Sequence, residues 1–240
     1  MPAPPVPAPL ADDVLDDEML AEVLGDSSDF SGATDLCLSF RKIRHIENLQ
    51  CLNKLVKLNL SNNRLTEVHN IAHLETLEIC DLSFNRIKEL SDDFRALKKL
   101  RELSLFSNEI TDLGLLPELS SLLILNVGDC KILEAKSFLP LRKLKGLRSL
   151  TAKDNPCATG HRAEEYNAYI LAYLGRMLRY FDYRAVDSET VVACREQFQN
   201  ELENLEASEA ATAAEQQQLE AEKTLHAGFQ KIYMLEAVTL

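Results

Sequence analysis

The first forty residues hold no lysine or arginine, although nine of them are acidic. Glycine and proline all but vanish after Ser188, where only Gly228 remains. No apolar run approaches the roughly 20 residues a membrane-spanning helix needs, and the proline-rich start lacks the basic-then-apolar order of a secretory signal. Neither a membrane partner nor export is therefore expected. The six cysteines, Cys37, Cys51, Cys80, Cys130, Cys157 and Cys194, lie far apart without a C-x-x-C pair. A chain of this size needs no disulfide staples, so they read as reduced thiols of a cytoplasmic protein. Phosphate-cradling G-x-x-x-x-G-K, H-E-x-x-H and G-x-S-x-G stretches are all missing. His69 and His73 stand four apart, the spacing of one helical face, but no third ligand accompanies them. The expectation is a non-catalytic protein with no cofactor and no metal site.

What is present is a chain of 240 residues, 46% apolar, with a formal charge of −12 that is unevenly spread. Residues 41–195 are slightly basic, while residues 196–240 are acidic like the N-terminal arm. An almost neutral body between acidic ends argues against nucleic acid as a partner.

The body repeats itself. The template L-x-x-L-x-L-x-x-N-x-L fits Leu55, Leu58, Leu60, Asn63 and Leu65, and again Leu77, Cys80, Leu82, Asn85 and Ile87. It recurs around Asn108, around Cys130 and around Asn155, and an edge copy places Arg41 where the asparagine would stand. This pattern identifies an α/β solenoid of about six leucine-rich repeats near 22 residues each, over residues 34–160. Each short strand should point its leucines inward. The structural ladder Asn63, Asn85, Asn108, Cys130 and Asn155 should turn polar side chains into the bends and satisfy buried backbone groups. Apolar residues every three positions in the return halves, such as Ile46, Leu49 and Leu52, suit short helical or 3₁₀ turns.

The open ends of such a stack must be covered. An acidic arm over residues 1–33 carries a candidate amphipathic helix, with Val14, Leu15, Met19, Leu20, Val23 and Leu24 apolar, ending near Gly25. Its acids Asp12, Asp13, Asp16, Asp17 and Glu18 fall in the first turns, where the helix dipole favours them. Over residues 161–187 the face Tyr166, Tyr169, Ile170, Tyr173, Leu174, Met177 and Leu178 predicts a helical cap, continued by Tyr180, Phe181 and Tyr183. Residues 188–240 read as a long acidic helix with a weak coiled-coil seam at Phe198, Leu202, Leu205 and Leu219. A second apolar group, Phe229, Ile232, Tyr233 and Leu235, suggests a docking point.

The 22-residue period resembles the cytosolic repeat class typified by the regulatory subunit of protein phosphatase 1. Within it, Asp81-Leu-Ser-Phe-Asn-Arg-Ile, Leu103-Ser-Leu-Phe-Ser-Asn-Glu-Ile, and the passage from Asp182-Tyr-Arg into an acidic, Gln-rich helix resemble the leucine-rich repeat subunits of the ciliary nexin-dynein regulatory complex. That resemblance implies a scaffold in the cytoplasm and cytoskeleton, at the axoneme of cilia or flagella. It implies a hetero-oligomeric assembly with other subunits of the complex, with dynein or tubulin as further partners. An outer-arm dynein light chain or a phosphatase regulatory subunit would use the same repeats.

Strand positions between the leucines should face the concave side. There Ile79, Phe84, Phe106 and Ile124 are large apolar groups the core does not require, and they are expected to form one central partner-binding patch. A basic group, Arg142, Lys143, Lys145 and Arg148, with Lys98, Lys99 and Arg101 nearby, is a candidate contact for an acidic surface such as tubulin's.

Overall fold

The computed structural model describes residues 15, 17–25, 30–47, 49–159 and 163–238. Most of the N-terminal arm, including Asp12, Asp13, Val14 and Asp16, lies outside them. So do the side chains of Leu219, Phe229, Ile232, Tyr233 and Leu235. Two compact units emerge, Met1–Cys194 and Arg195–Leu240.

In the first unit six short strands recur at the repeat period: β1 (Asp35–Cys37), β2 (Lys57–Asn59), β3 (Ile79–Asp81), β4 (Glu102–Ser104), β5 (Ile124–Asn126) and β6 (Ser149–Thr151). They pair in parallel and in order, so Leu36, Leu58, Cys80, Leu103, Leu125 and Leu150 line up in register as one buried row. Leu38, Leu60, Leu82, Leu105, Val127 and Ala152 form a second row, all fully buried. Period-two alternation within each strand does this, because every second side chain meets its counterpart from the next repeat.

The ladder works as the pattern implies. Asn108 Nδ2 donates to Leu82 O at 3.0 Å and Leu105 O at 2.9 Å, while its Oδ1 accepts Ile87 N–H at 3.0 Å. Asn63, Asn85 and Asn155 repeat the arrangement, and Asn63 Oδ1 also takes the amide of Arg41, where the edge copy has no asparagine of its own. Cys130 takes the same place with a thiol, which donates to Leu105 O at 3.3 Å. Burial pushes that thiol up to about 11, so it stays protonated and able to donate.

The return halves are uneven. Three-residue apolar spacing matches the 3₁₀ repeat, and 3₁₀ helices form at Asp92–Ala96, Leu116–Glu118 and Ala135–Lys143, burying Phe94, Leu116, Phe138 and Leu141. The earlier return halves, through Leu49–Leu55 and Ile71–Leu77, are chains of single turns. His69 and His73 therefore share no helical face: His73 Nε2 bonds the carbonyl of Leu49 and His69 sits beside Glu67.

Both ends are closed. α1 (Asp17–Leu24) buries Leu20, and Gly25 stops it with φ 94° while donating to Ala21 O. Arg41 Nη1 binds Glu22 at 2.5 Å. At the far end α2 (Ala163–Leu174) buries Tyr166, Ile170, Tyr173 and Leu174. The chain then adds β7 (Tyr180–Phe181) in parallel to β6 and turns back as β8 (Arg184–Ala185). Here the expectation needs correction: only Phe181 joins the lid, while Tyr180 and Tyr183 are 53% and 68% exposed. In register with Ser149, Tyr180 prolongs the open face of the sheet instead. Gly175 lets the start of α3 (Ser188–Gln197) close on α2, since a Cβ there would lie 2.4 Å from Leu171 O and 2.7 Å from Val191 Cγ2. In place of one continuous helix, α3 is followed after Phe198 by α4 (Gln199–Val238). None of the described helices is long and apolar enough to cross a membrane.

Candidate functional site

The outward residues of the strands form three parallel rows on the open sheet face. The first reads Asp35, Lys57, Ile79, Glu102, Ile124, Ser149 and Tyr180, in register from strand to strand. The middle row is Cys37, Asn59, Asp81, Ser104, Asn126 and Thr151. It is mostly self-satisfied: Asn59, Asp81 and Asn126 each accept the amide two residues on, and Ser83 Oγ bridges Asp81 and Ser104. Beyond it come Ser39, Ser61, Ser83, Phe106, Gly128 and Lys153.

This layout divides the expected patch. Ile79 and Ile124 stand two strands apart with Glu102 between them, and the polar middle row separates both from the phenylalanines. Phe84 and Phe106 meet edge to face with centroids 5.4 Å apart. Glycine at 128 makes room for this: a Cβ there would stand 3.0 Å from Phe106 Cδ2. The spacing along the strand sets this layout, since the third position lies on one side of the middle row and the seventh and eighth on the other.

Phe84 belongs to a column with an unusual backbone. Phe40, Asn62, Phe84, Ser107, Asp129 and Asp154 all have φ between 48° and 63°. Each of the first five donates its amide to the next repeat one rung further, as Phe84 does to Phe106 O at 2.8 Å. The bend after each strand thus demands a left-handed residue, a conformation that Asn, Asp or Gly accepts far more readily than an aromatic. Phe40 and Phe84 take it nonetheless while exposing 74% and 50% of their surface. Neither ring stabilises the core. The edge copy has the same eighth position as the full repeats, so the template itself points to Phe40; the missing ladder asparagine at Arg41 hides that signal.

The other predicted groups are dispersed. Arg148 is half-buried, and its Nη1 donates to the carbonyls of Lys145, Leu147 and Met177, tying the last repeat to the cap. It is therefore not a free surface charge. Lys143 and Lys145 are exposed on the 3₁₀ side, Arg142 is half-buried there, and Arg101 pairs with Glu78 at 3.7 Å. At the cap, a cleft of about 540 Å³ is lined by Lys153, Tyr166, Asp182, Arg184 and Asp187 among others. Asp182 there accepts the amides of Ala152 and Lys153 at 2.7 and 3.0 Å. Burial raises its carboxyl above the usual range even against those two bonds. Cys80 is buried and its thiol is pushed up to about 12, whereas hydrogen bonding from Ser39 lowers exposed Cys37. Among the described residues no group of His, Cys, Asp or Glu is arranged to hold a metal ion.

Comparison with known proteins agrees with this geometry. A leucine-rich repeat family profile matches residues 67–211, more than half of the chain, and a second matches residues 54–74. Human Toll-like receptor 6 is 31% identical over 113 residues, which cover 47% of this chain and 14% of the receptor. The chain thus spans only a small part of that relative. A leucine-rich repeat protein of Leptospira interrogans superposes with a TM-score of 0.51 at 22% identity, covering 64% of this chain and 38% of that one. An internalin of Listeria monocytogenes gives 0.51 at 24% identity, covering 63% and 47%. A chain of the Drosophila melanogaster SNF/U2A′ complex gives 0.49 at 23% identity, covering 77% and 92%. The likenesses to the Leptospira and Listeria proteins are of fold.

Proposed function

Since the chain belongs to the leucine-rich repeat family, whose repeats mediate protein–protein contact, we propose that it is a non-catalytic scaffold subunit of the axonemal nexin-dynein regulatory complex, akin to its subunit 3. The aromatic edge of the repeat sheet would engage a neighbouring subunit, and the tail helices would bundle with helices of others. Together they restrain or transmit sliding between doublets by position. The observation that carries the binding part is the exposed Phe84 ring on a left-handed backbone, stacked on Phe106. A strained, solvent-facing aromatic gives the fold nothing, while an aromatic at an interface is a common anchor. The ciliary part is supported by the passage from Asp182-Tyr-Arg into an acidic helix and by the two repeat segments that resemble the complex's subunit.

Two measurements test this. Tagged protein should localise to the nexin link rather than the outer dynein arm. Phe84→Asn should leave the fold intact, raising stability by up to about 1 kcal/mol through relief of the left-handed strain, while weakening capture of regulatory-complex subunits from axonemal extract. Unchanged capture by a folded Phe84→Asn, Phe106→Ala protein would sink the aromatic edge, and location at the outer arm would sink the assignment to the nexin link.

A further inference from the structure

Immediately after each ladder residue the chain turns outward, inward and outward again. The inward positions Ile43, Leu65, Ile87, Ile110 and Ile132 are buried. The amides around them stack the repeats in register: Arg64 N–H donates to Ile43 O, Arg86 to Leu65 O, Glu109 to Ile87 O and Lys131 to Ile110 O, at 2.8 to 2.9 Å. The outward side chains are therefore superposed rung on rung. They are Lys42, Arg64, Arg86, Glu109 and Lys131 in one column, with Arg44 and Lys88 in the next. All six cations are exposed, and Glu109 is half-buried.

Six cations stand against one acid in these two columns, and the exposed acids Glu67, Glu89, Asp112 and Glu134 follow in the next position of each repeat. Lys57, Arg95, Arg101 and Lys136 each have a carboxylate within 4 Å. Arg86, Lys88 and Lys131 have none among the described residues. Like charges one rung apart, at about 4.8 Å between strands, repel and are not required by the ladder or the core. In a protein of net charge −12 they line up cations beside a row of acids.

We propose that this strip binds an extended, glutamate- or aspartate-rich segment of a protein partner. From Lys42 to Lys131 the strip crosses four rungs, roughly 20 Å, which an extended chain covers with about six residues. Every second side chain of that segment would face the strip, bringing about three carboxylates opposite the guanidinium and ammonium groups. The strip adjoins the aromatic edge, Arg86 standing two residues after Phe84, but the proposal rests on charge and not on the rings.

The test uses the full chain and a fluorescein-labelled oligoglutamate of about eight residues, followed by anisotropy at low ionic strength. Binding is expected, with an oligoglutamine of the same length inert. Arg86→Glu with Lys88→Glu should weaken it at least about tenfold, as should raising salt to about 300 mM. Lys143→Glu with Lys145→Glu, the same change of net charge on the 3₁₀ side, should leave affinity within about twofold. Phe84→Asn should not affect it. Equal losses in the two charge-reversed proteins, or no loss in the first, would overturn the proposal. So would binding that appears only once residues 1–33 are removed, which would mean that the chain's own acidic arm covers the strip.

Discussion

Along the repeat stack, inward side chains from Leu36 to Leu150 are almost wholly buried, and each bend has a side chain that satisfies it. Along α4, from Glu203 to Glu215, every side chain is exposed except half-buried Leu205. Both regions are periodic, and both are regular in backbone. The difference is where the periodicity finds its partner. A repeat meets its neighbour 22 or so residues away in the same chain, so the stack closes on itself. The contacts seen near the helical stretch include the i,i+4 pair Gln199–Glu203 and the Arg195–Glu206 pair. A stretch so exposed draws on helix propensity, and that is a small sum.

The sharpest way to break the stack is at the ladder. Asn108→Ala leaves Leu82 O, Leu105 O and Ile87 N–H without their side-chain partner, and urea denaturation should show a loss of about 3 kcal/mol. Cys130→Ala removes one weaker donor and should cost about 1 kcal/mol; equal losses would show that the amide ladder is not what holds the bends. Next in size is the cap. Gly175→Ala places a methyl against Leu171 O and Val191, and should lower stability by about 2 kcal/mol, read as a shift in the thermal midpoint. The smallest effect belongs to the tail: Ala211→Gly should cost the helix about 1 kcal/mol yet leave the unfolding midpoint of the stack unmoved. A shifted midpoint would show that the two units unfold as one.

Much of this architecture is legible in the amino acids. The inward rows, the ladder and the capping function of Tyr166 and Ile170 follow from spacing, because each depends on residue type repeated at a fixed interval. The outward face is less readable. Ile79, Phe84, Phe106 and Ile124 share a chemistry, but template positions say which way a side chain points and not which neighbours it meets. Register decides that Glu102 stands between the isoleucines and that Gly128 opens the space beside Phe106. Tyr180 departs from the expected lid because an aromatic near a cap helix has the same pattern whether it turns inward or continues the sheet.

The basic strip shows the same limit from the other side. Lys42, Arg64, Arg86 and Lys131 are one or two repeats apart in the chain, and nothing local distinguishes them from solvated surface. The sequence by itself determined the period, the core and the satisfaction of the bends, since these are nearest-neighbour properties that any two adjacent repeats express. Only the tertiary structure decided which outward residues become neighbours. Stacking turns a separation of some 22 residues into one rung of a few ångströms, and surface charge and aromatic contact are felt over that distance.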